Sequence, residues 1–145
     1  MQMKRNRGFT LIELLVVILI ITILGTVVGV NLAGKPDEAR RAAAVAQLQL
    51  FRQALKLYQM DNGAYPTQRQ GLQALVAPST LDPQPKRFQP DGYLDRRELP
   101  LDPWGNPYVY IIPGTRGETY EVLSYGADGQ PGGDGKASDI STATL

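Results

Sequence analysis

Any chemistry in this chain must be done by oxygen, ammonium and guanidinium groups. The 145 residues contain no histidine and no cysteine, which removes disulfides, thiolate nucleophiles, imidazole bases and soft-metal sites together. Two places concentrate what is left. The first is residues 125–140, YGADGQPGGDGKASDI, where Asp128, Asp134 and Asp139 lie among Gly126, Gly129, Gly132, Gly133 and Gly135. Glycine lets backbone carbonyls turn inward, and a donor set of carboxylates, carbonyls and water suits calcium, which takes about six to eight oxygens. The spacing is not that of an EF-hand, because Gln130 and Gly132 stand where that loop needs oxygen side chains. A solvated acidic turn is the plain alternative. The second place is Glu13, the only ionisable side chain in residues 9–32, FTLIELLVVILIITILGTVVGVNL.

The element that carries Glu13 is an apolar helix longer than the roughly 20 residues a bilayer crossing needs. Lys4, Arg5 and Arg7 precede it, so the positive-inside tendency keeps the leader in the cytoplasm and delivers everything after Leu32 to the other side. An ordinary secretory signal has an apolar region of only about 7–15 residues and ends at a small-residue cleavage site. Residues 25–29 offer small side chains for such a cut, but Glu13 argues against it. A carboxylate in an apolar helix costs about 2.5–3.5 kcal/mol if central, and less near an interface where it can snorkel. Glu13 therefore calls for a partner. Gly25 and Gly29 form a small-xxx-small spacing, a weak signal in a single-pass helix.

Beyond Leu32, Pro36 interrupts the helical pattern and Asp37 and Glu38 suit the first turn of a restarted helix. Over residues 39–60, Ala44, Leu48, Phe51, Leu55 and Tyr58 recur at spacings of four and three, which predicts the core face of an amphipathic helix. Asp61, Asn62 and Gly63 end it. Thr67 is placed to cap a short helix with Leu72, Leu75 and Val76 on its apolar side. Residues 77–107 hold too many prolines for a central strand or a long helix and read as an ordered loop. Within it Trp104, the single tryptophan, reads as a plug over a small core rather than a binding platform.

Alternating apolar positions appear only at residues 108–112 and 119–125, which predicts two antiparallel strands. A hairpin alone is marginal in water, so it must pack on the amphipathic helix. The expected fold class is therefore α+β: a long N-terminal membrane and stem helix with a small C-terminal antiparallel sheet, a lollipop with a membrane handle. Fifteen basic against fourteen acidic residues leave a formal charge of +1, so nothing draws the chain to nucleic acid. A membrane-anchored hydrolase using the aspartates as acid and base is disfavoured, because one hairpin supplies few pocket walls. No enzymatic activity is expected.

The basic leader ending in Gly8, followed by Phe9-Thr10-Leu11-Ile12-Glu13 and an unbroken apolar run, resembles the type IV pilin class of signal. The resemblance implies that a prepilin peptidase cuts between Gly8 and Phe9 on the cytoplasmic face and that Phe9 is N-methylated. Residues 1–8 are then a removed leader, 9–32 a transmembrane and filament-core helix, and 33–145 a periplasmic head that includes the amphipathic helix. The new ammonium at Phe9 gives Glu13 a partner. A weak pairing within one helix is open at four positions' separation; the stronger reading is an intermolecular pair, with Glu13 of one subunit meeting the amine of its neighbour in a stacked bundle.

The stretches YPTQRQGLQALV, LPLDPWGNPYVY and YGADGQPGG are similar to those of the major pseudopilins of type II secretion systems. This resemblance implies a non-enzymatic homopolymer, a short periplasmic filament anchored from the inner membrane. Its implied partners are minor pseudopilins, the prepilin peptidase and the inner-membrane assembly platform, with the secretin and exported proteins engaged indirectly. It also implies a calcium in the C-terminal loop, held by Asp128 and Asp139, with Asp134, Ser138 and the Tyr125 carbonyl as further contributors. The chain departs from that family after Ile140, where STATL replaces the usual glycine-asparagine-tryptophan ending, which puts the packing of the tail in question. A surface type IV pilin for adhesion, motility or DNA uptake shares the handle, but should usually carry a C-terminal cysteine pair, which this chain lacks.

Overall fold

The computed structural model describes residues 10–32 and 35–145, with side chains at 10–24 and 36–145. The chain divides into two compact units, Met1–Glu38 and Ala39–Leu145. In the first, helix α1 covers Leu11–Leu32. Its described large apolar side chains point to every side and are 45–84% exposed within the single chain. Among the described residues no helix is long and apolar enough to cross a membrane.

Helix α2 covers Lys35–Asn62, so it starts earlier than its stripe suggested. Pro36 sits in its first turn, where a missing N–H costs nothing, and Asp37 and Glu38 complement the helix dipole there. The predicted stripe is the observed one: Ala44, Leu48, Phe51, Leu55 and Tyr58 are all buried, joined by Ala54. Gly63 ends the helix at a φ of 83°, its N–H donating to the Gln59 carbonyl at 2.7 Å. Thr67 does not cap the next helix directly. It builds the turn before it, its hydroxyl accepting from the Gln70 N–H while the Gln70 side chain accepts from the Thr67 N–H. A short 3-10 helix then covers Leu72–Leu75. Buried Gln70 also donates to the carbonyls of Leu81 and Pro83, which pins the proline-rich loop to the head.

The sheet has three antiparallel strands in the order β1-β2-β3: β1 Val109–Ile111, β2 Glu121–Ser124 and β3 Ile140–Ser141. The hairpin was expected; the third strand was not. It pairs Leu123 with Ser141 and Ser124 with Ile140, and Thr142 continues the contact through its N–H to the Val122 carbonyl. The atypical ending after Ile140 therefore starts inside the sheet. On the outer edge of β1, the Gln68 side chain donates to the Tyr110 carbonyl and accepts from the Ile112 N–H. One core joins α2, the 3-10 helix, Tyr93 and Leu94 from the loop, and Tyr110, Val122 and Ile140 from the sheet. Trp104 packs against that core, as a plug should. Its indole N–H is buried without a hydrogen-bond partner among the described residues.

Candidate functional site

Gly8 and Phe9, the expected cleavage and methylation positions, lie outside the described residues. Glu13 falls in the first turn of α1, where a carboxylate is favoured by the helix dipole. Its backbone N–H donates to the Thr10 hydroxyl at 3.3 Å, so Thr10 and Glu13 carry the spacing of a capping box. That local role escaped the sequence reading, although Thr-x-x-Glu is its signature. The Glu13 side chain is exposed in the single chain.

The glycine-rich segment leaves β2 at Tyr125, turns through residues 126–134, forms a 3-10 turn at Gly135–Ala137 and returns as β3. Its ends are drawn together by the Ala127 N–H donating to the Lys136 carbonyl at 3.2 Å. Two glycines make the approach possible. A Cβ on Gly126 would stand 3.1 Å from the Lys136 and Ala137 carbonyl oxygens, and one on Gly133 would stand 2.7 Å from the Ala137 oxygen. Asp128 accepts the Gln130 N–H at 3.1 Å and Asp139 the Gly132 N–H at 2.9 Å, each through one carboxylate oxygen. Asp134 precedes the 3-10 turn, its carbonyl accepting the Ala137 N–H. The Ser138 hydroxyl donates to the Gly135 carbonyl and accepts from Arg41 on α2.

Among the described residues no three acidic side chains gather into a metal-binding group. Asp128, Asp134 and Asp139 are thus not collected at one point, and a cation here would depend on carbonyls and hydroxyls as much as on carboxylates. The all-oxygen donor set and the close approach of carbonyls that glycine permits fit a hard cation of that kind.

Two buried carboxylates frame this segment, and the sequence did not single them out. Asp102 accepts from the N–H groups of Trp104 and Asn106 at 3.1 and 2.8 Å, and from the Ser124 hydroxyl at 2.6 Å. Ser124 in turn accepts the Gly126 N–H, and the Asn106 side chain donates to the Gly126 carbonyl at 3.0 Å. The Asp-Pro-Trp-Gly-Asn turn therefore fixes the entry to the glycine loop. Glu121 fixes its exit, accepting from the Ser141 hydroxyl and from both the hydroxyl and N–H of Thr115. Burial alone would raise the pKa of Glu121, but the Ser141 and Thr115 hydrogen bonds and nearby Arg116 together hold it below the usual carboxylate value.

Tyrosines add buried and part-buried hydroxyls to the head. Burial, then the hydrogen bond to Asp61, push Tyr93 up to about 12. Burial also raises Tyr108 and Tyr110 well above their ordinary value, with hydroxyls donating to Gln47 and to the Pro66 carbonyl.

Comparison with known proteins places this arrangement. The model of type II secretion system protein G matches residues 31–143, and the prokaryotic N-terminal methylation motif matches residues 3–29. The type II secretion system core protein G of Pseudomonas aeruginosa is 46% identical over 140 residues, covering 97% of this chain and 96% of the relative. That of Vibrio cholerae is 45% identical over 139 residues, covering 96% and 92%. The crystal structure of the major pseudopilin from the type 2 secretion system of enterohaemorrhagic Escherichia coli superposes with a TM-score of 0.67 at 39% identity, covering 79% of this chain and 96% of that one. The α+β fold is thus pilin-like. With its methylation motif, glycine loop and head all accounted for, the chain belongs to the type II secretion system protein G family, the major pseudopilins.

Proposed function

We propose that this chain polymerises through its N-terminal helix into a periplasmic pseudopilus that drives folded proteins across the outer membrane. In this reading the prepilin peptidase cuts after Gly8, Phe9 becomes the methylated N-terminus, and residues 9–32 hold the subunit in the inner membrane with its head in the periplasm. The assembly platform extracts subunits from there. Minor pseudopilins occupy the tip, and the secretin and exported proteins are met only by the finished filament.

One observation carries the proposal: over residues 11–24, α1 exposes large apolar side chains on every side, a surface suited to lipid or to other helices. Glu13 then sets the register by meeting the Phe9 ammonium of a neighbouring subunit. The role is mechanical rather than enzymatic, in keeping with the buried carboxylates Asp102 and Glu121, whose oxygens are engaged in contacts that hold the fold. Mass analysis of the mature N-terminus tests the processing step. A methylated Phe9 is expected; a chain that has lost everything through Leu32 would reject both the processing and the filament.

We further propose that residues 125–139 hold calcium, through Asp128 and Asp139 with Ser138 and the Tyr125 carbonyl as further donors and without Asp134, since the three carboxylates do not gather. The bound ion supplies a cross-link that offsets the entropy of closing a glycine-rich loop and so stabilises the head. Melting of the full chain in detergent should rise with calcium chloride relative to a chelator, and Asp128→Ala should abolish the rise. Identical melting curves for the unaltered chain would remove the metal from the proposal.

A further inference from the structure

With no cysteine in the chain, no disulfide can staple the head, but two of its seven tyrosines stand where a different covalent link is within reach. Tyr65 follows the end of α2, and Tyr120 immediately precedes β2. Their ring centroids are 4.7 Å apart at an interplanar angle of 54°. Tyr110 positions both. Its hydroxyl donates to the Pro66 carbonyl at 2.8 Å, fixing the backbone beside Tyr65, and its ring stacks on Tyr120 at 6.2 Å. Tyr65 and Tyr120 are each only half-buried. Their hydroxyls make no hydrogen bond within the described residues, where Trp104 Nε1 is the one buried side-chain polar atom without a partner. Both phenols therefore meet water. The other closely paired tyrosines differ: Tyr58 and Tyr93, at 5.3 Å, are 3% and 7% exposed, and the Tyr93 hydroxyl is committed to Asp61.

We infer that Tyr65 and Tyr120 form an oxidative coupling site, whose co-substrate is a one-electron oxidant of the haem-peroxidase class fed by hydrogen peroxide. The oxidant takes one electron from each phenol, and each phenolic proton passes to water. The two phenoxyl radicals join through a carbon–carbon bond between their ortho positions. Each ring then loses its ortho proton to solvent and regains one on oxygen, which restores the aromatic phenol. Overall the protein gives up two hydrogen atoms, and one peroxide becomes two waters. Ring contact makes the coupling step unimolecular, which favours it over coupling between chains. The product ties the segment after α2 to β2 and restricts the unfolded chain as any cross-link across a long loop does.

The full chain in detergent, treated with a plant haem peroxidase and hydrogen peroxide and then digested for peptide mass analysis, tests this. A Tyr65–Tyr120 linked peptide two hydrogens lighter than its parts is expected, on material that still migrates as a monomer and shows the blue fluorescence of an ortho-linked biphenol. Tyr65→Phe and Tyr120→Phe should each lose that peptide. Both substitutions keep the ring, and neither hydroxyl has a protein partner to forfeit, so the head should melt as before. Tyr125→Phe, at a half-buried tyrosine outside the ring contacts, should leave the yield unchanged. No linked peptide, links only between chains, or equal loss in Tyr125→Phe would overturn the assignment. The linked chain should also melt above the untreated one, and equal melting would overturn its role as a staple.

Discussion

Helices α1 and α2 follow each other in sequence and obey opposite rules. Over residues 11–24 of α1 the large apolar residues face every side, and each is exposed. On α2 they form one stripe, and that stripe is sealed by the sheet, the 3-10 helix and the proline-rich loop. The charged residues differ in the same sense. Glu13 is exposed in an apolar setting, whereas the buried carboxylates of the head, Asp102 and Glu121, each accept three hydrogen bonds from their own chain. The head is complete as folded. On the proposed reading the handle is covered by lipid or by other subunits, so one sequence would specify both a stable domain and an association.

Removing the Glu13 carboxylate should separate the two regions most sharply. Glu13→Ala is expected to be cleaved and methylated normally, to keep the melting temperature of the head, and to form no filaments under electron microscopy. Filaments of ordinary length and number would show that the carboxylate does not set the register. Within the head, Phe51→Ala should cost about 3–5 kcal/mol in denaturant unfolding, because Phe51 is 1% exposed and meets Tyr108 edge-on at 5.0 Å. Leu50→Ala on the open face of the same helix should stay within about 0.5 kcal/mol. Comparable losses at the two positions would dissolve the distinction between a sealed and an open face.

An effect smaller than that of Phe51→Ala concerns pH. Glu121 has a lower pKa folded than unfolded, so its contribution is fully present above the unfolded value near 4.3 and is lost as pH falls through the folded value. Glu121→Gln should lower stability by about 1–3 kcal/mol at neutral pH and flatten the acid limb of a stability profile. An unchanged acid limb would show that other carboxylates dominate it.

The α2 stripe was legible in the sequence because a period near 3.6 leaves few other conformations for Leu48, Phe51, Leu55 and Tyr58. That residues 11–32 form an apolar helix was legible from composition alone. Strand β3 was not, since Ile140 and Ser141 are too short to alternate and take their conformation from pairing with β2. Strand β2 misleads in a second way. All four of its residues are buried, so the alternation around it does not mark one wet face, and Glu121 reads as a surface residue until Ser141 and Thr115 are brought against it. Asp102 was not singled out, because its bond to Ser124 depends on topology. In the candidate metal loop the residue types were legible. The hydrogen bond from Arg41 to Ser138 was not, because its partner lies 97 positions away in sequence.

Gln68 extends the contrast between handle and head. By hydrogen-bonding both the Tyr110 carbonyl and the Ile112 N–H, it occupies the backbone groups that a foreign strand would use to lengthen the sheet from β1. In a filament of the kind proposed, neighbouring heads would find these two groups of the border already taken, which disfavours an amyloid-like joining of sheets there.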